Sequence, residues 1–82
     1  MFKAEVKITL KKTVSDPQGL TVKHALEALN FSGIEQVRMG KFITVELKAK
    51  DQDKAKDEVQ NMCQKLLANP IIEDFSFELK EV

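Results

Sequence analysis

His24 and Cys63 are the only histidine and the only cysteine in the chain, so any nucleophilic or metal chemistry has to begin with them. A thiol nucleophile needs a base within hydrogen-bond reach. On a helical wheel His24 points away from Val22 and Leu29, which makes it a solvated side chain on the outer side of one helix. Cys63 falls beside the apolar stripe of a different helix, where the ordinary role of a free thiol is that of a small core hydrophobe. No second His or Cys stands at zinc-ligand spacing, so no metal site is expected. Neither a dinucleotide fingerprint nor a Walker loop occurs. The 13 Asp and Glu residues alternate outward along strands or lie on polar helix faces, the pattern of solvated charge and not of an acid–base pair. Lys11, Lys12 and Lys23 flank a helix start and could attract an anion. The first loop, Lys11 to Leu20, lacks the arginine that acylphosphatase-type phosphate binding would need. No catalytic residue is therefore expected in this chain.

Composition narrows the partners. With 82 residues the chain is expected to form a single domain over 1–82. Thirteen basic and 13 acidic residues cancel, which removes the charge footprint of a nucleic-acid binder and weakens self-repulsion. No apolar run approaches the roughly 18 residues of a membrane span, and the alternating first twelve residues hold no secretory signal. No intrachain disulfide is possible with one cysteine. These features lead to an expectation of a cytoplasmic protein with neither nucleic acid nor membrane as partner, whose stability is either thin or shared with a partner.

The elements that must position these residues follow from periodicity. Phe2, Ala4, Val6, Ile8 and Leu10 alternate with polar residues and predict a strand. Asp16-Pro17-Gln18-Gly19 has the residue types of a type I turn. A helix should follow, capped by Thr21, with Val22, Ala25, Leu26 and Leu29 on one side and stop signals at Asn30 and Gly33. Residues 34–39 read as a second strand, Gly40-Lys41 as a tight hairpin turn with glycine at φ > 0, and the alternation through Ile43, Val45, Leu47 and Ala49 as a third strand. Asp51 or Asp53 caps a second helix with the stripe Ala55, Val59, Met62 and Leu66, which Asn69-Pro70 ends. Phe75, Phe77 and Leu79 alternate in a fourth strand. This order predicts an α+β, ferredoxin-like βαββαβ fold, a four-stranded antiparallel sheet with both helices on one face. The opposite face is then polar except for Phe42, too few aromatics for an RNA-recognition surface.

Three motifs stand out together: Asp16-Pro17-Gln18-Gly19, Arg38-Met39-Gly40-Lys41, and Leu66-Leu67-Ala68-Asn69-Pro70. Their order and spacing in a chain of this length, with Thr21-Val22 and Ala25-Leu26 after the first, resemble the PurS family, the small subunits of phosphoribosylformylglycinamidine (FGAM) synthase. The resemblance runs from the first strand through Glu78. It implies a non-catalytic subunit, a homodimer or tetramer, that joins a large synthetase subunit (PurL) to a glutaminase subunit (PurQ). The complex converts formylglycinamide ribonucleotide (FGAR), ATP and glutamine to FGAM, ADP, phosphate and glutamate, with ATP and Mg used through the large subunit and no cofactor in this chain. Asp16, Pro17, Gln18, Gly19, Arg38, Gly40, Lys41, Phe42, Asn69 and Pro70 are the candidate interface and structural-motif residues. Aromatics and arginine favour interface centres, which puts Phe42 and Arg38 first. The alternative from element order alone is an ACT-like small-molecule-binding regulatory module.

Overall fold

The alternation of the first ten residues forms the centre of the molecule. In the computed structural model, which describes residues 1–82, β1 (Phe2–Leu10) lies between β2 (Gly40–Leu47) and β3 (Glu73–Glu81), antiparallel to both. Val6 stands opposite Ile43 on one side and Phe77 on the other, and Ala4 opposite Val45 and Leu79. One face of the sheet is therefore apolar across its width, as period-two patterning dictates. The other face carries the charges. There Glu5 lies directly opposite Glu78, and Lys3 opposite Lys80. Lys80 reaches diagonally instead, its Nζ 2.7 Å from Glu5 Oε1, so opposite charges meet across the strands.

One helix covers the apolar face. Asp51 caps α2 (Gln52–Met62) by accepting the Lys54 N–H at 2.8 Å. Ala55, Val59 and Cys63 recur at i, i+4 and i+8, all fully buried, and Val59 and Cys63 pack with Ala4, Val6 and Ile8. The expected stripe through Met62 and Leu66 is corrected at its end. Residues 63–67 form a π-type turn, in which the Ala68 N–H donates to Cys63 O at 2.9 Å. The wider turn rotates Leu66 outward, where it is 82% exposed, and leaves Cys63 in the core. Burial raises the Cys63 thiol pKa. Cys63→Ala should therefore cost about 1 kcal/mol in urea denaturation by removing one sulfur from a packed site.

The fold departs from the expected one at the other helix. The sheet has three strands, not four, and the two helices do not share its face. Helix α1 (Pro17–Ala28) lies off the end of the sheet and buries only Gly19, leaving Leu20 53% and Leu29 68% exposed. Asn30 at φ 72° and Gly33 at φ 80° then turn the chain, as the stop signals predict. Residues 34–39 return alongside α1 without joining the sheet and run straight on into β2. A nine-residue strand of about 30 Å followed by a twelve-residue helix of about 18 Å matches the 51 Å long axis. The radius of gyration, 16.3 Å, exceeds the roughly 12 Å of a compact chain of this length. Residues 17–39 are an arm.

Gly40 explains why no hairpin forms. Its φ is not positive, and it opens β2 opposite Thr9. A Cβ at this position would sit 2.7 Å from the Ile8 carbonyl oxygen, so glycine is required for close approach to β1 and not for a reversal. Asp16-Pro17-Gln18-Gly19 is likewise corrected. It is the cap and first turn of α1, with proline at the first helical position, and Thr21 lies inside the helix with its hydroxyl donating to Pro17 O at 3.0 Å.

Candidate functional site

The root of the arm gathers the first two sequence motifs. Asp16 Oδ1 accepts the Gly19 N–H at 3.0 Å, closing the first turn of α1, while Oδ2 accepts the Met39 N–H at 2.6 Å. One carboxylate thus fastens the outgoing helix to the returning segment. Arg38 Nη2 donates to the carbonyl oxygens of Val14 at 2.8 Å and Lys11 at 3.0 Å, satisfying two loop acceptors with a single guanidinium. Gly19 supplies the space. A side chain there would fall inside the contact distance of the Val37 carbonyl oxygen and 2.7 Å from Asp16 Oδ2.

The third motif is joined through Glu73, which the sequence reading did not single out. Its Oε1 accepts the Asn69 N–H at 2.7 Å and its Oε2 lies 3.6 Å from Lys41 Nζ. Asn69 in turn holds the loop after it, accepting the Ile71 N–H on Oδ1 at 3.1 Å and the Glu73 N–H on its carbonyl at 2.7 Å. The available signal was a glutamate four residues past Asn69, spaced to cap the turn that Pro70 opens. Lys11 adds a second tie to this strand end, its Nζ 2.7 Å from Asp74 Oδ1.

Between these pieces, at the end of the apolar sheet face, lies a cleft of about 170 Å³ bordered by Asp16, Gln18, Met39, Gly40, Lys41 and Glu73. Pro17, Gly19 and Arg38 are not among the residues that border it, and Asn69 is tied to it through Glu73. Arg38 and Lys41 do not project together from a hairpin tip, as expected, because residues 38–41 are extended and each side chain has its own partner. Phe42 is apart from this cluster, 58% exposed on the charged sheet face in a shallow depression with Glu5, Lys7 and Ser76.

The chemistry of the root is that of a joint. The Asp16 carboxyl is held below its usual 3.8 by the N–H groups of Gly19 and Met39, with the nearby Arg38 charge adding to them. A carboxyl depressed in the folded state stabilises the fold above its unfolded pKa and loses that stabilisation as pH falls through the folded value. Asp16→Asn should thus lower Tm by roughly 5 °C at pH 7. The gap to wild type should close as thermal scans are taken below the usual carboxyl value of 3.8. His24 is exposed on α1 and Cys63 is buried under α2, so neither meets the other. No group of three or more His, Cys, Asp or Glu residues is close enough to hold a metal. No helix is long and apolar enough to cross a membrane.

Comparison with known proteins agrees along the whole chain. The family model for PurS, phosphoribosylformylglycinamidine (FGAM) synthase, matches residues 3–81. The phosphoribosylformylglycinamidine synthase subunit PurS of Bacillus subtilis is 42% identical over 82 residues, covering 100% of this chain and 96% of the relative. The crystal structure of Methanocaldococcus jannaschii PurS, described as one of the subunits of formylglycinamide ribonucleotide amidotransferase in the purine biosynthetic pathway, superposes with a TM-score of 0.89. It is 40% identical and covers 100% of this chain and 99% of its own. A chain in the PurLQS structure from Thermotoga maritima matches with a TM-score of 0.88 at 29% identity, over 96% of each chain. A family model over residues 3–81 and a fold shared end to end with these subunits place the chain in the PurS family of FGAM synthase subunits.

Proposed function

We propose that this chain is the non-catalytic small subunit of FGAM synthase in de novo purine biosynthesis, and that it assembles a large synthetase subunit (PurL) with a glutaminase subunit (PurQ). The observation that carries the reading is the full-length likeness to the chain in the Thermotoga maritima PurLQS assembly. The complex spends ATP, with Mg, in the large subunit and takes nitrogen from glutamine, converting FGAR to FGAM. This chain supplies shape and surface. Its 82 residues act as one domain in the cytoplasm, self-associated as a homodimer or tetramer.

The arm root supports this role. Asp16, Gly19 and Arg38 fix how α1 leaves the sheet. Gln18, Gly40 and Lys41 border the cleft that faces outward at that joint. Phe42 offers an aromatic contact on the opposite face, and Pro17 and Pro70 stiffen the two turns. The regulatory-module alternative finds no support in the likenesses.

The test is reconstitution. The chain is mixed with a large synthetase subunit and a glutaminase, and FGAM is measured with FGAR, ATP, Mg and glutamine. Glutamine-dependent turnover should require all three proteins and fall at least tenfold without this one. Equal turnover in its absence would overturn the reading.

A further inference from the structure

β3 forms one edge of the sheet, since it pairs only with β1. Two bonds just beyond the strand ends set the phase of that ladder. The Lys11 N–H donates to Ile72 O at 2.9 Å, and the Val82 N–H donates to Met1 O at 2.9 Å. Both pairs continue the register that sets Leu10 opposite Glu73 and Phe2 opposite Glu81. In an antiparallel pair the hydrogen-bonded positions recur at every second residue. Asp74, Ser76, Glu78 and Lys80 therefore bond to β1, and the N–H and C=O groups of Phe75, Phe77 and Leu79 point outward. Glu73 agrees with this phase, since its N–H turns away from β1 to Asn69 O at 2.7 Å. No turn, cap or loop bond of the backbone takes the outward groups of residues 75, 77 and 79.

An open edge is normally guarded by proline, a bulge, an inward-pointing charge or an edge lysine. β3 has none of these in place. It runs nine residues without proline or glycine, and its register against β1 is unbroken. The inward positions 75, 77 and 79 are all apolar and half buried. Its one lysine, Lys80, is drawn across the sheet to Glu5, Nζ to Oε1 2.7 Å, and so leaves the edge. What the edge keeps is negative charge. The strand holds four carboxylates against that lysine. Glu73 and Asp74 have Lys41 and Lys11, whereas Glu78 and Glu81 form no ion pair. Glu78 also stands opposite Glu5, a like charge. β2, the other edge, carries one lysine and one glutamate and is neutral. A second β3 brings four more carboxylates to the same line, so self-pairing of this edge is opposed. The occupant that fits is an extended segment of a different protein, with apolar residues beside Phe75, Phe77 and Leu79 and with Lys or Arg beside Ser76 and Glu78. Strand addition of this kind takes affinity from main-chain bonds and selectivity from alternate side chains.

We infer that β3 is the seat for a basic extended segment of a partner subunit, which adds to this sheet as a further strand in the assembled synthase. This rests on the reading of the chain as an assembly subunit, and names the surface and the chemistry by which it holds a partner.

The experiment joins hydrogen exchange to a charge reversal. Exchange of residues 73–81 is read by mass spectrometry for the chain alone and for the chain mixed with a large synthetase subunit and a glutaminase. Alone, the amides of Phe75, Phe77 and Leu79 should exchange fast, and in the mixture they should slow at least tenfold. Glu78→Lys with Glu81→Lys reverses the edge charge at two exposed side chains. Lysine at position 78 meets Glu5 across the ladder, so this double variant should keep the thermal transition of wild type. It should show no slowing in the mixture and should need at least tenfold more chain for half-maximal glutamine-dependent turnover. Unchanged exchange at β3 in a mixture that turns over, or a folded double variant that half-saturates at the wild-type concentration, overturns the inference and leaves the assembly role standing. If the double variant loses its transition, the wild-type exchange decides alone. Slow exchange of the three amides already in the chain alone means that a second copy covers the edge, and overturns the inference as well. A mixture whose turnover needs none of this chain overturns the assembly role with it.

Discussion

Gly19→Ala should lower stability by about 2 kcal/mol and reduce glutamine-dependent turnover of the reconstituted synthase at least tenfold. At an ordinary interior helical position the same change gains up to about 1 kcal/mol, because alanine is the better helix former. Here the sign reverses. The new methyl group would be driven against the Val37 carbonyl oxygen and 2.7 Å from Asp16 Oδ2, the atom that accepts the Met39 N–H. Neither is the free end of a flexible side chain. Relief requires α1 to move away from residues 37–39, which lengthens or breaks the Asp16–Met39 hydrogen bond of 2.6 Å and changes the angle at which the arm leaves the sheet. Gly19→Val should do more of the same. Urea denaturation of the isolated variant and turnover of the three-protein mixture would be measured together. A Gly19→Ala chain more stable than wild type, with full turnover, would show that the joint tolerates a side chain and that its tightness has no function.

Val59→Asp is expected to abolish the fold. Val59 has no exposed surface and stands at the middle of the only helix on the sheet, against Ala4, Val6 and Ile8. A carboxylate there has no cation within the core. Burial without a partner costs several kcal/mol, comparable with the whole stability of a domain of this size. The chain should lose its cooperative thermal transition at pH 7. Leu26→Asp on α1 is the contrast. That helix contributes nothing to the buried cluster of its own protomer, so the change should leave the transition of a dilute chain within about 1 kcal/mol of wild type. A cooperative Val59→Asp chain, or an unfolded Leu26→Asp chain, would mean that the core has been placed on the wrong helix.

Much of this protein is legible without coordinates. Period-two alternation in residues 2–10, 42–48 and 74–80 defines three strands and their faces, because adjacent side chains in an extended backbone point to opposite sides. Asp51, Asn30, Gly33 and Asn69-Pro70 mark element ends through local hydrogen bonding and local φ, which need no distant partner. The three motifs were legible too, and with them the family resemblance. What they do was not: local pattern assigns each a turn or a helix stop, and only the stop at Asn69-Pro70 holds in the fold.

Tertiary structure decided the rest at a few atoms. Residues 34–39 have the composition of a strand, but a ladder needs a neighbour, and the Asp16 and Arg38 hydrogen bonds direct this segment away from the edges of the sheet in its own chain. Glycine at position 40 suits either a positive-φ turn or a close approach to another backbone. The Ile8 carbonyl 2.7 Å from its absent Cβ selects the second. Glu73 was one carboxylate among many until Asn69 and Lys41 converged on it. Local sequence fixes which elements form and which faces are apolar, since those depend on near neighbours. Where a helix lies relative to a sheet depends on contacts between residues far apart in the chain, and here a handful of hydrogen bonds at the arm root settles it.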